Sequence, residues 1–259
     1  MITIKKAEEI AAIKTGGKIL AEILSELVKA AKIGIKTIEL DELAEKLILA
    51  RGGVPAFKNY KEGVNEIPFP GTICASVNNE LVHGAPGNYQ LQNGDILSID
   101  IGMKYPATGT GYFTDMAVTI PIGKISAATR KLIKVTEKSL AIGISQIKEG
   151  NYISDIGSAI QKYVEAEGFS IVRQLVGHGV GYAVHEDPRI PNYFDAKQKP
   201  VRLEAGMVLA IEPMVNVGKP AVIFSPNSWA VFTADGQLCA HFEHTVAVTK
   251  GGVEILTKI

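Results

Sequence analysis

Two apolar stretches of this chain each end on an acid: Gly94-Asp95-Ile96-Leu97-Ser98-Ile99-Asp100 and Gly206-Met207-Val208-Leu209-Ala210-Ile211-Glu212. A carboxylate at the end of a buried strand must be solvated, paired or metal-bound, because an isolated buried charge costs several kcal/mol or more. A second acid follows each, in Thr114-Asp115-Met116-Ala117 and in Phe242-Glu243-His244-Thr245. Asp100 and Asp115 therefore stand against Glu212 and Glu243 as matched positions of an internal repeat. A fold that satisfies them brings the equivalent acids together at its centre.

The helical segments repeat as well. Apolar residues recur at helical spacing over 6–31, interrupted at Gly16-Gly17, and again from Thr37, a candidate cap, to Gly52-Gly53. After a long helix at 125–147, the phrase returns as Gly150, Ser154, Ile156, Ile160 and Val164, with a stop at Gly168. Between the copies lie a loop at 55–70 rich in Pro, Gly and Asn, a strand at 72–77, a turn carrying His83, and strands ending at Asp100 and running 115–120. No Ser- or Pro-rich linker separates the halves. The expectation is one α+β domain over 1–259, with a pseudo-twofold repeat of roughly 1–120 and 121–259.

Composition narrows the partners. With 27 basic and 27 acidic residues the net charge is zero, which gives no bulk attraction to nucleic acid. Two distant cysteines, Cys74 and Cys239, form no C-x-x-C pair and fit a reducing compartment, so the expected location is cytoplasmic. The first residues carry acids and pass at once into an amphipathic pattern, unlike a cleavable leader. No apolar run is long enough to span a membrane.

Four carboxylates in one cleft repel, and their pKa values rise until some are neutral unless cations sit among them. Two divalent ions balance four negative charges. His178, between Gly177 and Gly179, offers a neutral nitrogen, and one His with four acids is a mixed set suited to Mn, Fe, Co or Zn. His241 shares a strand face with Glu243 and His244 does not; neither is given a role. The cysteines read as small core residues, with no adjacent base to activate them. The phosphate-loop, dinucleotide and nucleophile-elbow motifs are absent.

Across essentially its whole length the chain resembles the methionine aminopeptidases of the pita-bread fold, type I branch. The resemblance rests on Phe69-Pro70, Asn78, His83-Gly84-Ala85-Pro86, Ile99-Asp100, Gly111-Tyr112-Phe113-Thr114-Asp115, Gly177-His178-Gly179-Val180-Gly181 with His185-Glu186-Asp187-Pro188, Ile211-Glu212-Pro213-Met214-Val215-Asn216, and Phe242-Glu243-His244-Thr245. It implies a pseudo-twofold repeat with a central antiparallel sheet and helices on the outer face. The implied activity is removal of the amino-terminal methionine from nascent polypeptides when the second residue is small.

By that resemblance Asp100 holds one of two divalent ions, His178 and Glu212 hold the other, and Asp115 and Glu243 bridge them. Glu212 accepts a proton, while His83 and His185 contact substrate. Phe69, Cys74, His83, Val184 and Trp229 form the methionine pocket. A monomer is implied, with ribosome contact as a further partner that the family allows.

The chain departs from the family pattern in two places. The interval from Asp100 to Asp115 is a few residues longer, with the excess placed at 106–111. Val184 stands where a larger residue is usual, which implies a looser pocket. His178 and Glu212 are 34 positions apart (212 − 178), too close for the helical insert of the type II branch, and the expectation is a domain with no zinc-finger extension before it. The alternatives are an Xaa-Pro peptidase of the same fold, whose usual additional amino-terminal domain is not seen, and a non-catalytic pita-bread binding protein, whose kind lose metal ligands that all stand here.

Overall fold

Helix α1 (Ala7–Ala30) runs unbroken through Gly16 and Gly17, where the sequence suggests an interruption. A Cβ on Gly17 would lie 2.5 Å from the Leu256 carbonyl oxygen, and one on Gly16 would lie 3.1 Å from the Tyr105 Cβ. The glycines therefore serve close approach of the helix to its neighbours, at a cost of about 1 kcal/mol each in helix propensity. This computed structural model describes residues 1–61, 67–226 and 228–258. Positions 62–66 of the expected loop lie outside the described residues.

Helix α2 (Thr37–Ala50) follows. Thr37 is its first helical residue, not its cap: the hydroxyl accepts from the Gly87 amide at 2.9 Å and donates to the Gly87 carbonyl at 3.1 Å, which ties α2 to the loop after the His83 turn. The cap function falls to Glu39, whose carboxylate accepts the Lys36 amide at 2.8 Å. In the second half, α3 (Ala127–Ser145) starts at Ser126, whose hydroxyl accepts the Thr129 amide at 3.0 Å. Helix α4 (Ile153–Ala166) ends just before Gly168, which has a positive φ of 86°.

The strands are β1 (Val54–Pro55), β2 (Ile73–Val77), β3 (Glu80–Val82), β4 (Ile96–Tyr105), β5 (Tyr112–Pro121), β6 (Ser170–Ile171), β7 (Gly177–Gly179), β8 (Glu186–Ile190), β9 (Val208–Ile211), β10 (Met214–Asn216), β11 (Val222–Phe224), β12 (Val231–Thr233), β13 (Cys239–His241), β14 (Glu243–Thr249) and β15 (Gly252–Ile255). The main sheet runs β1-β4-β5-β14-β9-β7-β8, with β2 joined to β4 and β15 to β14. Its pairings are antiparallel. The halves of the sequence meet where β5 pairs with β14. Smaller sheets, β13-β10-β6 and β11-β12-β3, flank it.

Side-chain alternation divides the main sheet into two faces. On one, Ile99, Ile101 and Met103 of β4 pack with Leu20, Ile23, Leu27, Leu40 and Ile48 of α1 and α2. On the same face, Leu209, Ile211, Val246 and Val248 pack with Leu132, Leu140, Ile156 and Ile160 of α3 and α4. The helices cover this face, and of the intervening positions Val208, Ala210 and Ala247 pack against Ile13 near the start of α1. No helix among the described residues is long and apolar enough to cross a membrane.

Gly17→Ala should destabilise the fold by about 1–3 kcal/mol, because overpacking against a backbone carbonyl outweighs the gain in helix propensity. Urea denaturation measures this directly.

Candidate metal centre

Strand register alone brings the acids together. Asp100 is paired with Ala117 and Gly102 with Asp115 across the β4–β5 ladder, so Asp100 and Asp115 lie on one face, two residues out of step. Glu243 of β14 pairs with Ala117, Thr245 with Ala210 of β9, and Ala210 with His178 of β7. Because residues i and i+2 share a face, Glu243 and His178 join the acids there. Glu212 follows the last residue of β9 and continues the alternation from Ala210.

Asp115, His178 and Glu243 each place one ligand atom within 4.8 Å of the others. Glu212 sits between two imidazoles, its Oε1 3.4 Å from His178 Nε2 and its Oε2 3.5 Å from His241 Nε2. His178 Nδ1 lies 2.9 Å from the Gly179 carbonyl oxygen, to which it donates as Nδ1–H. That tautomer leaves the Nε2 lone pair free to bind an ion. Asp100 Oδ1, Asp115 Oδ1 and Glu243 Oε1 are buried with no hydrogen-bond partner. Buried carboxylate oxygens without donors are the environment a hard or borderline cation completes, so this donor set fits a divalent metal.

The electrostatics agree. Burial, reinforced by the neighbouring acids, holds the Asp115 and Glu243 carboxyls well above the usual range. Burial also pushes Asp100 up to about 6 and Glu212 up to about 8. The same desolvation lowers His178 to about 3 and keeps it neutral, as a ligand must be. Cys74 is likewise raised well above its ordinary value by burial, which leaves its thiol unionised.

These groups form the floor of a cavity of about 550 Å³, which Phe57, Tyr60, Phe69, Cys74, His83, His185 and Trp229 also line. Trp229 stands edge-on to Phe69 and His83 at ring separations of 5.9 and 6.4 Å. Val184 is buried with Phe57, Phe69 and Cys74 in one apolar cluster, so its size bears on the pocket through those three neighbours. His83 is held at a positive φ of 59°, a backbone state that non-glycine residues adopt only where the surroundings fix it. His185 packs 4.6 Å from His178, ring to ring, and its Nδ1 lies 2.7 Å from the Tyr60 hydroxyl.

Phe57, Tyr60 and His241 are additions to the residues expected from sequence. Tyr60 lies in a loop with no periodicity to announce it. His241 did carry a signal, because alternation puts it on the face of Glu243, and it is buried with neither ring nitrogen hydrogen-bonded.

The chain matches metallopeptidase family M24 over residues 11–250. It is 49% identical to methionine aminopeptidase 1 of Bacillus subtilis over 259 residues, covering 100% of both chains. The crystal structure of methionine aminopeptidase from Rickettsia prowazekii superimposes with a TM-score of 0.93 at 35% identity, again over 100% of each chain. A prolidase from Pyrococcus horikoshii, at 23% identity and a TM-score of 0.77, covers 98% of this chain and 63% of its own, and shares the fold.

Between about pH 6.5 and 8 the metal-free protein should lose stability as pH rises. The unfolded acids are already ionised there, whereas the folded cluster retains protons that it gives up on the way to the Glu212 value near 8. The buried neutral histidines act oppositely, but only below their ordinary value of 6.5. Tm measured across this window after chelation should fall, and saturating metal should remove the slope.

Proposed function

The chain belongs to metallopeptidase family M24, and we propose that it removes the amino-terminal methionine of polypeptides at this centre, as one catalytic unit, preferring substrates whose second residue is small. The observation that carries the reading is the set of partnerless carboxylate oxygens, with the free His178 Nε2, at the floor of a cavity walled by Phe69, Cys74 and Trp229. A thioether on an unbranched stem suits a wall of aromatic rings and sulfur.

The chain binds divalent metal, and two ions satisfy the charge balance of four acids. Asp100 would hold one, His178 and Glu212 the other, with Asp115 and Glu243 shared between them. Mn, Fe, Co and Zn all suit this set. When bound, the ions supply Lewis acidity towards the attacking water and the scissile carbonyl oxygen.

The residues of the chain do the rest. Glu212, whose proton affinity burial raises, accepts the proton of the attacking water and returns it to the departing amine. The Tyr60 hydroxyl lies 2.7 Å from His185 Nδ1; with the phenol as donor in this pair, the imidazole is the Nε2–H tautomer. That N–H then donates to the carbonyl oxygen as it gains charge. Phe69, Trp229 and His83 close round the methionine side chain, supported from behind by Val184, and exclude water from it. The family allows a monomeric protein acting on nascent chains at the ribosome.

His178→Ala should lose metal affinity, whereas His185→Ala should keep its metal and lose rate on the order of 10²–10³. Metal content determined beside kcat on Met-Ala peptides, with Ala-Pro peptides as the control for prolidase chemistry, separates the two roles. Equal metal loss in both variants, or preferential cleavage of Ala-Pro, would contradict the reading.

A further inference from the structure

Lys5, 3% exposed, is the one lysine or arginine buried among the described residues. Its stem lies over Gly181, where an added Cβ would come 2.8 Å from the Lys5 Cε, and its ammonium is 5.0 Å from the centre of the Tyr182 ring. Nζ donates to Glu186 Oε2 at 2.7 Å and to the Thr3 hydroxyl, which itself donates to the same Oε2 at 2.6 Å. The other carboxylate oxygen, Oε1, accepts the amides of Tyr182 and Ala183. The Lys5 amide donates to the Gly206 carbonyl at 2.8 Å, and the Gly206 amide to the Val248 carbonyl at 2.9 Å, so the arm carrying Lys5 is anchored on β14.

A buried ion pair adds little net stability over an apolar pair of the same size, but losing one partner strands a charge. Its value here lies in what Glu186 holds. The carboxylate gathers the backbone of 182 and 183 directly before Val184 and His185, the residues that support the pocket wall and face His178. Burial alone would raise the Glu186 carboxyl, yet the bonds from Lys5, Thr3 and the Ala183 amide bring it below its ordinary value. These donors together favour the ionised form of Glu186.

We propose that the Lys5–Glu186 pair is a positioning device for the reaction: it fixes the 181–185 loop before β8 and thereby sets Val184 behind the methionine pocket and His185 at the cavity. The metal ligands do not depend on it, since His178 is held by its pairing with Ala210 and by the Gly179 carbonyl. The inference rests on the aminopeptidase reading for its catalytic consequence and on geometry alone for the clamp.

Lys5→Met should lower kcat/KM on Met-Ala peptides by about 10- to 100-fold, mainly in kcat, because small misplacements of a catalytic group cost that much. The Met-over-norleucine ratio should fall as well, while calorimetric metal affinity stays near that of the wild type. Amide exchange at Tyr182 and Ala183 should accelerate in the metal-free protein. Lys5→Met/Glu186→Gln keeps an oxygen that accepts both amides and should regain most of the lost rate, whereas Lys5→Met/Glu186→Leu should not.

Wild-type rates and exchange in Lys5→Met would overturn the proposal, as would a loss of rate that only mirrors lost metal. Should Lys5→Met fail to fold, the two double variants bury no lone charge and decide the matter, with equal activity counting against the clamp. A wild-type protein that binds metal yet cleaves no Met-Ala peptide would count against the aminopeptidase reading, and amide exchange would still test the clamp itself.

Discussion

Repulsion among buried carboxylates is the constraint on which this structure depends. Asp100, Asp115, Glu212 and Glu243 share one sheet face away from bulk water, and burial raises the proton affinity of each. Such a cluster either takes up protons or takes up cations. The neutral His178, with its outer nitrogen tied to the Gly179 carbonyl, favours the second outcome. The apolar opposite face, packed under four helices, supplies the stability that lets the acidic face exist.

Rigid and adaptable parts divide the labour. The ligand candidates sit on or directly after β4, β5, β7, β9 and β14, whose ladders fix their spacing to strand geometry. The proposed recognition groups, Tyr60, Phe69, His83, Val184, His185 and Trp229, come from loops and turns, where single bonds rather than ladders set position. The Tyr60 hydroxyl on His185, the αL backbone of His83, and the carboxylate of Glu186 under the 182–183 amides each fix one of them. Precise groups on strands and tunable groups on supported loops is the arrangement expected of a catalytic site on a stable scaffold.

The metal-site candidates were legible in sequence because acids closing apolar runs are costly wherever they fall, and the repeat showed the cost accepted twice. Alternation also told Glu243 and His241 from His244. The fold class followed from the motif resemblance, and the helices from their periodicity. What escaped was tertiary. Gly16-Gly17 looks like a break, yet it is the contact of α1 with Leu256 and Tyr105, which no local pattern encodes. Thr37 looks like a cap but bonds to Gly87, 50 residues away. Lys5 and Glu186 are 181 residues apart, so nothing near either one marks it as half of a buried pair.

The account is tested most directly by anomalous diffraction from crystals loaded with manganese. It predicts one ion held by His178 and Glu212 and a second held by Asp100 beside it, with Asp115 and Glu243 contacting both. An ordered ion found elsewhere, with the four acids hydrogen-bonded to one another as a protonated cluster, would contradict it.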